Sequence, residues 1–85
     1  MSKFEKLLIK LLSGNADNNF GFDELRSILT HLHFNERLTG GSHRIFYKEG
    51  IEEIINIQPK NGKAKPYQVK QVRQIILKYK LSADE

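Results

Sequence analysis

A bend of two glycines that leads into an alternating run of side chains is the feature that most constrains how this chain can fold. The glycines are residues 40–41, and the run covers residues 43–48. Because successive side chains of a β-strand point to opposite faces, His43, Ile45 and Tyr47 are predicted to share one face. Glycine permits a sharp turn and a close approach of the backbone to a ligand. The pattern therefore predicts a strand that begins at a histidine beside an accessible turn.

Two further segments have the length and the pattern of strands. Residues 33–38 precede the glycine bend, and Phe34 is predicted to face inward. Residues 53–58 follow a second turn, and Ile55 and Ile57 fall on one face of that segment. Three short strands with tight connections predict an antiparallel meander.

Three segments carry apolar residues at helical spacing. They are residues 3–13, 22–32 and 66–80. Gly21 and Glu24 occupy the N-cap and capping-box positions of the second helix, and Pro66 suits the first turn of the third. The predicted order is α-α-β-β-β-α, an α+β fold in which helices cover a three-stranded antiparallel sheet. From residue 22 onward this order is that of a double-stranded-RNA-binding domain, so the predicted fold is double-stranded-RNA-binding-domain-like.

Length and composition limit the classes of protein to which the chain can belong. Its 85 residues predict a single domain, residues 1–85. The chain has no cysteine, which excludes disulfides and Cys-containing zinc sites. No apolar run approaches the roughly 20 residues that span a bilayer, and residues 1–5 do not begin like a signal peptide. We therefore expect a cytoplasmic protein that does not bind membranes.

Positive charge is concentrated in the last third of the chain. The net charge is +4, and no acidic residue occurs between Glu53 and Asp84. The basic residues in that window are Lys60, Lys63, Lys65, Lys70, Arg73, Lys78 and Lys80. Such a segment suits a polyanion, most simply nucleic acid, or an acidic protein partner. A solvated helix face without a partner explains the charge equally well.

His43 is the candidate catalytic residue. An imidazole titrates near neutrality, so it can take a proton from a ribose 2′-hydroxyl and return one to the leaving oxygen. Ser42 can donate a hydrogen bond to a phosphate, and the amides of Gly40 and Gly41 can cradle one. The alternative is an inert histidine at a strand edge beside ordinary turn residues. The spacing of His31, His33 and His43 matches no pattern of metal ligands, and we predict neither a metal site nor a cofactor.

Four cations are candidates for binding a phosphate backbone. Lys63 and Lys65 flank the start of the third helix, where lysines and a helix N-terminus can together bind an anion. Lys70 and Arg73 are about one helical turn apart and can reach successive phosphates. Tyr47 can stack on a base, whereas Phe46 is expected in the core. The alternative for the lysines is a loop that only aids solubility.

Two stretches of the chain resemble a known family. The first is Gly41-Ser42-His43-Arg44-Ile45-Phe46, followed by a hairpin, and the second runs from Lys63-Ala64-Lys65-Pro66 to Val72-Arg73-Gln74-Ile75-Ile76. Their order and spacing resemble the HicA toxins of bacterial type II toxin–antitoxin systems. The resemblance covers about residues 22–81, so residues 21–81 are interpreted as the HicA-like core and residues 1–20 as an additional helix and loop.

The resemblance implies a function as well as a fold. Members of that family cleave mRNA, and the histidine of their G-S-H motif, matched by His43, is the catalytic residue. A HicB-type antitoxin protein is the implied partner. Arg44 departs from the pattern, because many members have a second histidine or an aromatic residue there, so only a single-histidine mechanism survives. The rival hypotheses are a non-catalytic RNA-binding module of the same fold and a protein-interaction domain.

Overall fold

A computed structural model describes residues 2–41 and 43–82, and within them the elements follow the predicted order α-α-β-β-β-α. The helices are α1 (Lys3–Ser13), α2 (Phe22–His31) and α3 (Pro66–Tyr79), and a short 3-10 turn (Asp17–Asn19) separates the first two. The strands are β1 (Asn35–Leu38), β2 (Arg44–Tyr47) and β3 (Ile55–Ile57). The predicted α+β class with a three-stranded antiparallel sheet is confirmed.

The sheet is an antiparallel meander with β2 in its centre. Phe46 of β2 pairs with Glu36 of β1 and with Ile55 of β3. Phe46, Ile55 and Ile57 are fully buried, because the helices pack against this face of the sheet. The predicted alternation of β2 is therefore confirmed, and Phe46 is a core residue.

The strands are shorter than the pattern predicted, most clearly at the start of β1. His33 was expected to begin that strand, but its φ is +69°, in the left-handed region. The amide of His33 donates to the carbonyl of Thr30, and the amide of Phe34 donates to that of Leu29, both at 3.0 Å. This pair of bonds is the Schellman arrangement that closes a helix. His33 therefore ends α2 and leaves β1 to begin at Asn35.

The first helix belongs to the same hydrophobic core as the sheet. The side chain of Ser2 accepts from the amide of Glu5 at 3.1 Å and the Glu5 carboxylate accepts in return, so a capping box starts α1. Phe4, Leu7 and Leu11 of this helix are buried in the cluster that also contains the inner face of the sheet. The segment interpreted as an addition, residues 1–20, thus contributes core side chains.

A tight turn precedes α3. Asn61 and Gly62 both have positive φ, +55° and +77°, as a type I′ turn requires. The flanking Lys60 and Lys63 exchange backbone hydrogen bonds of 2.8 and 3.0 Å. Gln68 is 2% exposed, and its side-chain oxygen accepts from the amide of Lys65 at 3.2 Å. These contacts fix where α3 begins, with Pro66 in its first turn as predicted.

The opposite face of the sheet is open to solvent. Tyr47 is 40% exposed and Ile54 is 62% exposed, and Arg37 and Asn56 are exposed as well. Ile45, in the centre of this face, is half-buried. The sheet thus has one face that forms the core and one that is available for contact with another molecule.

Candidate functional site

His43 lies immediately before β2 and contributes to a pocket of about 180 Å³ at one end of the sheet. The side chains of Asn56 and Gln58 line this pocket from β3 and the residue that follows it, and Tyr67 and Gln71 line it from α3. Pockets that enclose whole drug-sized ligands are larger, roughly 300 Å³ or more. This pocket is therefore suited to part of a larger ligand, such as one sugar and its phosphate.

The loop between β1 and β2 holds the backbone of His43. Thr39 donates to the carbonyl of His43 from both its amide and its side-chain hydroxyl, each at 3.4 Å. Gly41 has a φ of +85° and lies in open space, where a Cβ would meet no neighbouring atom within 4 Å. The conformation of the backbone, rather than crowding, therefore favours glycine there. Ser42, the other predicted phosphate ligand of this bend, lies outside the described residues.

Arg44 anchors the start of β2 from the helical side. Its guanidinium donates to Glu36 at 2.8 Å, and Arg26 of α2 donates to the same carboxylate at 2.7 and 3.0 Å. The hydrogen bond from Arg26, with that from Arg44, holds the pKa of Glu36 below its ordinary value. Arg44 thus points away from His43 and fixes the strand on which the histidine is carried.

The His43 pocket is polar but carries no carboxylate among the described residues. Asn56, Gln58 and Gln71 offer amides that can both donate and accept hydrogen bonds, and Tyr67 offers a hydroxyl. Within residues 2–41 and 43–82 the His43 ring has no hydrogen-bond partner. Its nitrogens are therefore available to exchange a proton with a bound ligand, and the amides can position that ligand.

Lys65 borders the pocket, and Lys63 lies further along the same turn. The ammonium of Lys65 donates to the side-chain oxygen of Gln58 at 3.3 Å, which places this positive charge next to a residue that lines the pocket. Lys63 is exposed beside the Asn61-Gly62 turn and does not line the pocket. The structure thus brings Lys65 to His43 more directly than it brings Lys63.

Arg73 and Lys70 lie on the side of α3 that faces the 3-10 turn. The Arg73 guanidinium donates to the two oxygens of Asp17 at 2.8 and 3.0 Å and to the carbonyl of Leu11 at 3.1 Å. This hydrogen bonding lowers the pKa of Asp17 and raises that of Arg73. Arg73 was expected to hold RNA, but its side chain is only 17% exposed and is taken by these partners. Lys70 is exposed near Asp17, away from the His43 pocket.

Six of the residues that line the pocket were not singled out from the sequence, namely Ile54, Asn56, Gln58, Tyr67, Gln68 and Gln71. The alternation that buries Ile55 and Ile57 also directs residues 54, 56 and 58 to the face that carries His43. Tyr67 and Gln71 are spaced i, i+4 on α3 and so share one side of that helix. The sequence pattern therefore shows which residues share a face within β3 and within α3. Whether the two faces meet at one pocket depends on how α3 packs beside β3.

The described part of the chain contains neither a membrane-spanning helix nor a metal-binding cluster. No helix there is long and apolar enough to cross a bilayer. No three His, Asp or Glu side chains within residues 2–41 and 43–82 come together in a way that could hold a metal ion. The pocket offers an imidazole, amides and a phenol, and an ammonium group lies nearby.

No protein-family model, no curated protein and no solved structure matches this chain. The resemblance to HicA toxins accordingly depends on the motifs quoted above. A fold of this kind does not by itself determine a function.

Proposed function

We propose that this protein is an endoribonuclease, an mRNA-cleaving toxin of the HicA type, in which His43 is the general acid and base. The observation that carries the proposal is the position of His43, whose ring has no hydrogen-bond partner among the described residues and lines a polar pocket at the edge of an open sheet face. A positioned imidazole of this kind is the commonest proton-transfer group in enzymes. The resemblance of residues 41–46 to the G-S-H motif supports the same role.

The reaction uses the nucleophile that RNA itself carries. The ribose 2′-oxygen attacks the adjacent phosphorus, a new P–O2′ bond forms, and the bond from phosphorus to the 5′-oxygen breaks. His43 accepts the proton of the 2′-hydroxyl and delivers a proton to the departing 5′-oxygen, so that protons balance over the step. Asn56 and Gln71 can hydrogen-bond the sugar and the phosphate and hold them in line with the ring.

Positive charge near the pocket supports the binding of RNA. Lys65 lies next to the pocket through Gln58, whereas Lys63 and Lys70 are exposed outside the pocket, on the turn and on α3, and are proposed to contact the RNA backbone farther from His43. Gly41 and Ser42 are proposed to contact the scissile phosphate through the bend before His43. Because lysine–phosphate contacts displace counterions, binding should weaken steeply as salt is raised. Arg73 is not included, because its guanidinium is paired with Asp17.

The partners follow from the proposed class. The substrate is mRNA, the inhibitor is a HicB-type antitoxin protein that covers the His43 pocket, and the compartment is the cytoplasm. The resemblance, together with the basic character of residues 60–80, is what supports these assignments.

The test compares His43→Ala with a matched histidine variant on a labelled transcript. His43→Ala should lose roughly 100- to 10,000-fold in the rate of cleavage, the usual contribution of a general acid or base. His33→Asn is the control, because His33 is exposed, ends α2 at a left-handed φ that asparagine tolerates, and does not line the pocket. It should cleave like the unchanged protein.

Binding measured in parallel separates catalysis from affinity. His43→Ala should still retard the transcript in a gel and should unfold at the same urea concentration as the unchanged protein. A folded His43→Ala protein that cleaves normally would refute the role of His43. An unchanged protein that binds RNA without cutting it would instead be a non-catalytic RNA-binding module.

A further inference from the structure

A second pocket lies on the open face of the sheet, beside the one that contains His43. Its volume is about 320 Å³, and it is lined by Arg37, Ile45, Tyr47 and Ile54. Ile54 also lines the His43 pocket, so the two pockets adjoin. Ile45 and Tyr47 continue the same face of β2 on which His43 begins. A ligand that reaches His43 can therefore extend along β2 into the second pocket.

Arg37 distinguishes this pocket from an ordinary apolar depression. Arg26 and Arg44 bind Glu36, and Arg73 binds Asp17, whereas Arg37 has no carboxylate partner among the described residues. Its guanidinium carbon lies 6.0 Å from the centre of the Tyr47 ring, within cation–π range. The exposed positive charge thus lies over an exposed aromatic ring, and Ile45 and Ile54 line the same pocket.

An aromatic ring and a guanidinium beside aliphatic side chains are the surfaces that bind an unpaired nucleobase. Bases stack on aromatic rings and on arginine planes, and every base has such a face to offer. In a duplex those faces are covered by the neighbouring bases, which lie ~3.4 Å apart along each strand. Tyr47 can therefore stack on an unpaired base but not on a base inside a duplex.

We infer that the Arg37–Tyr47 pocket binds an unpaired base of the RNA that is cleaved at His43, so that the substrate is single-stranded RNA. This inference rests on the proposed function for its ligand and adds the class of substrate. The rise of a strand places residues 43 and 47 about 13 Å apart, so the bound base belongs to a nucleotide close to the scissile one but not directly bonded to it. Arg37 adds a positive charge that attracts the RNA backbone to this face.

The experiment measures binding of a short fluorescent oligoribonucleotide with 2′-O-methyl riboses, which cannot be cleaved, as a single strand and as a duplex. The unchanged protein should bind the single strand more tightly. Tyr47→Ala should weaken that binding roughly tenfold or more, as loss of base stacking does, and Tyr47→Phe should restore it. Arg37→Ala should weaken it too, whereas Lys6→Ala, which removes another exposed charge, from α1, should change it by less than about twofold.

Because the oligonucleotide is not cleaved, failure of this inference can be told from failure of the proposed function. If His43 is required for cleavage but Tyr47→Ala binds single strands normally, or duplex binds as well as single strand, the base pocket is wrong and the nuclease stands. If Tyr47 is required for binding but the protein cuts no RNA, the pocket stands and the nuclease is wrong. Loss of affinity for a protein partner alone in Tyr47→Ala would also overturn the pocket, because the face would then be a protein interface.

Discussion

The two faces of the three-stranded sheet differ in what happens to their polar side chains. On the helical face, Glu36 is bound by Arg26 and Arg44, which leaves none of these charges unpaired. On the open face, Arg37 has no carboxylate partner and the His43 ring has no hydrogen-bond partner, in both cases among the described residues. Residues that are adjacent in the sequence, such as Glu36 and Arg37, therefore have opposite surroundings.

Because of this difference, neighbouring side chains of one strand can serve different purposes, one stabilising the fold and the next binding a ligand. A polar group that is satisfied inside the protein contributes to the fold, and its removal leaves a partner without a hydrogen bond. A polar group that is left free on a surface can be removed with little effect on folding and is available to a ligand. If this division holds, substitutions on the two faces should affect different measurements.

The largest effect on stability is expected in the centre of the sheet. Phe46→Ala should lower the free energy of unfolding by roughly 3–5 kcal/mol, because the ring is fully buried and its removal leaves a cavity. Ile45→Ala changes the next residue, which is half-buried on the open face, and should cost less than about 1 kcal/mol. Urea unfolding monitored by circular dichroism measures both values.

The effects of these two substitutions on RNA binding should be the reverse of their effects on stability. Ile45→Ala should weaken the binding of single-stranded RNA, because Ile45 lines the Arg37–Tyr47 pocket. If Phe46→Ala is too unstable to study, Phe46→Leu should remain folded, lose less stability and bind RNA normally. Equal losses of stability for Ile45→Ala and Phe46→Ala would show that the sheet does not have one structural and one open face.

A smaller effect is expected from the two cations of α3 near the 3-10 turn. Arg73→Ala should lower stability by roughly 2–4 kcal/mol, because Asp17, whose side chain is only 11% exposed, loses its partner. Lys70→Ala removes an exposed charge on the same helix and should change stability by no more than about 0.5 kcal/mol. Thermal and urea unfolding of the two variants side by side test this contrast.

The same pair distinguishes a structural cation from an RNA-binding one. Lys70→Ala should reduce the salt dependence of RNA binding by about one unit in the log–log slope, as the loss of one phosphate contact does. Arg73→Ala should leave that slope unchanged at temperatures where the variant is folded. A stable Arg73→Ala protein with a reduced slope would return Arg73 to the RNA-binding residues and refute its assignment to the fold.

The elements of the fold could be predicted because each depends on a local pattern. Apolar spacing gave the three helices, and the alternation around Phe46 placed that ring in the core. The start of β1 was predicted two residues too early, at His33 instead of Asn35, because the left-handed φ of His33 is set by the Schellman turn and not by side-chain pattern. Local periodicity cannot show such a backbone reversal when the residue is not glycine.

The composition of the site could be predicted only in part. His43 could be singled out as a candidate because a histidine beside a glycine bend is conspicuous, and Lys65 because it precedes Pro66. Arg73 appeared to be a free cation, since its partner Asp17 is distant in the sequence and comes close only through packing of the 3-10 turn on α3. Gln71 was not singled out for the same reason, because its role depends on a contact across the fold.

The smallest expected effect is on how stability declines in acid, and it tests the ion pairs of Glu36 on the helical face. The hydrogen bonds from Arg26 and Arg44 hold the pKa of this carboxyl below its ordinary 4.5 in the folded protein. A lowered pKa means that the folded state favours the ionised form, so this stabilisation is complete above about pH 5 and is lost as the pH falls through the folded value. Glu36→Gln should therefore lower stability at pH 7 and flatten its decline in acid, measured by urea unfolding across the pH range.

Exposed Glu49, in the turn after β2, supplies the matched control, and Glu49→Gln should leave the acid profile unchanged. Some decline must persist in Glu36→Gln, because hydrogen bonds from Tyr79 and Lys78 lower the pKa of Glu53 to about 2 and that of Asp17 is lowered by Arg73. A Glu36→Gln profile that parallels the unchanged protein at every pH would contradict the ion-pair assignment. Arg44 would then not anchor β2 through Glu36, and the position of His43 would depend on the pairing of Arg44 with β1 and β3 and on the Thr39 contacts.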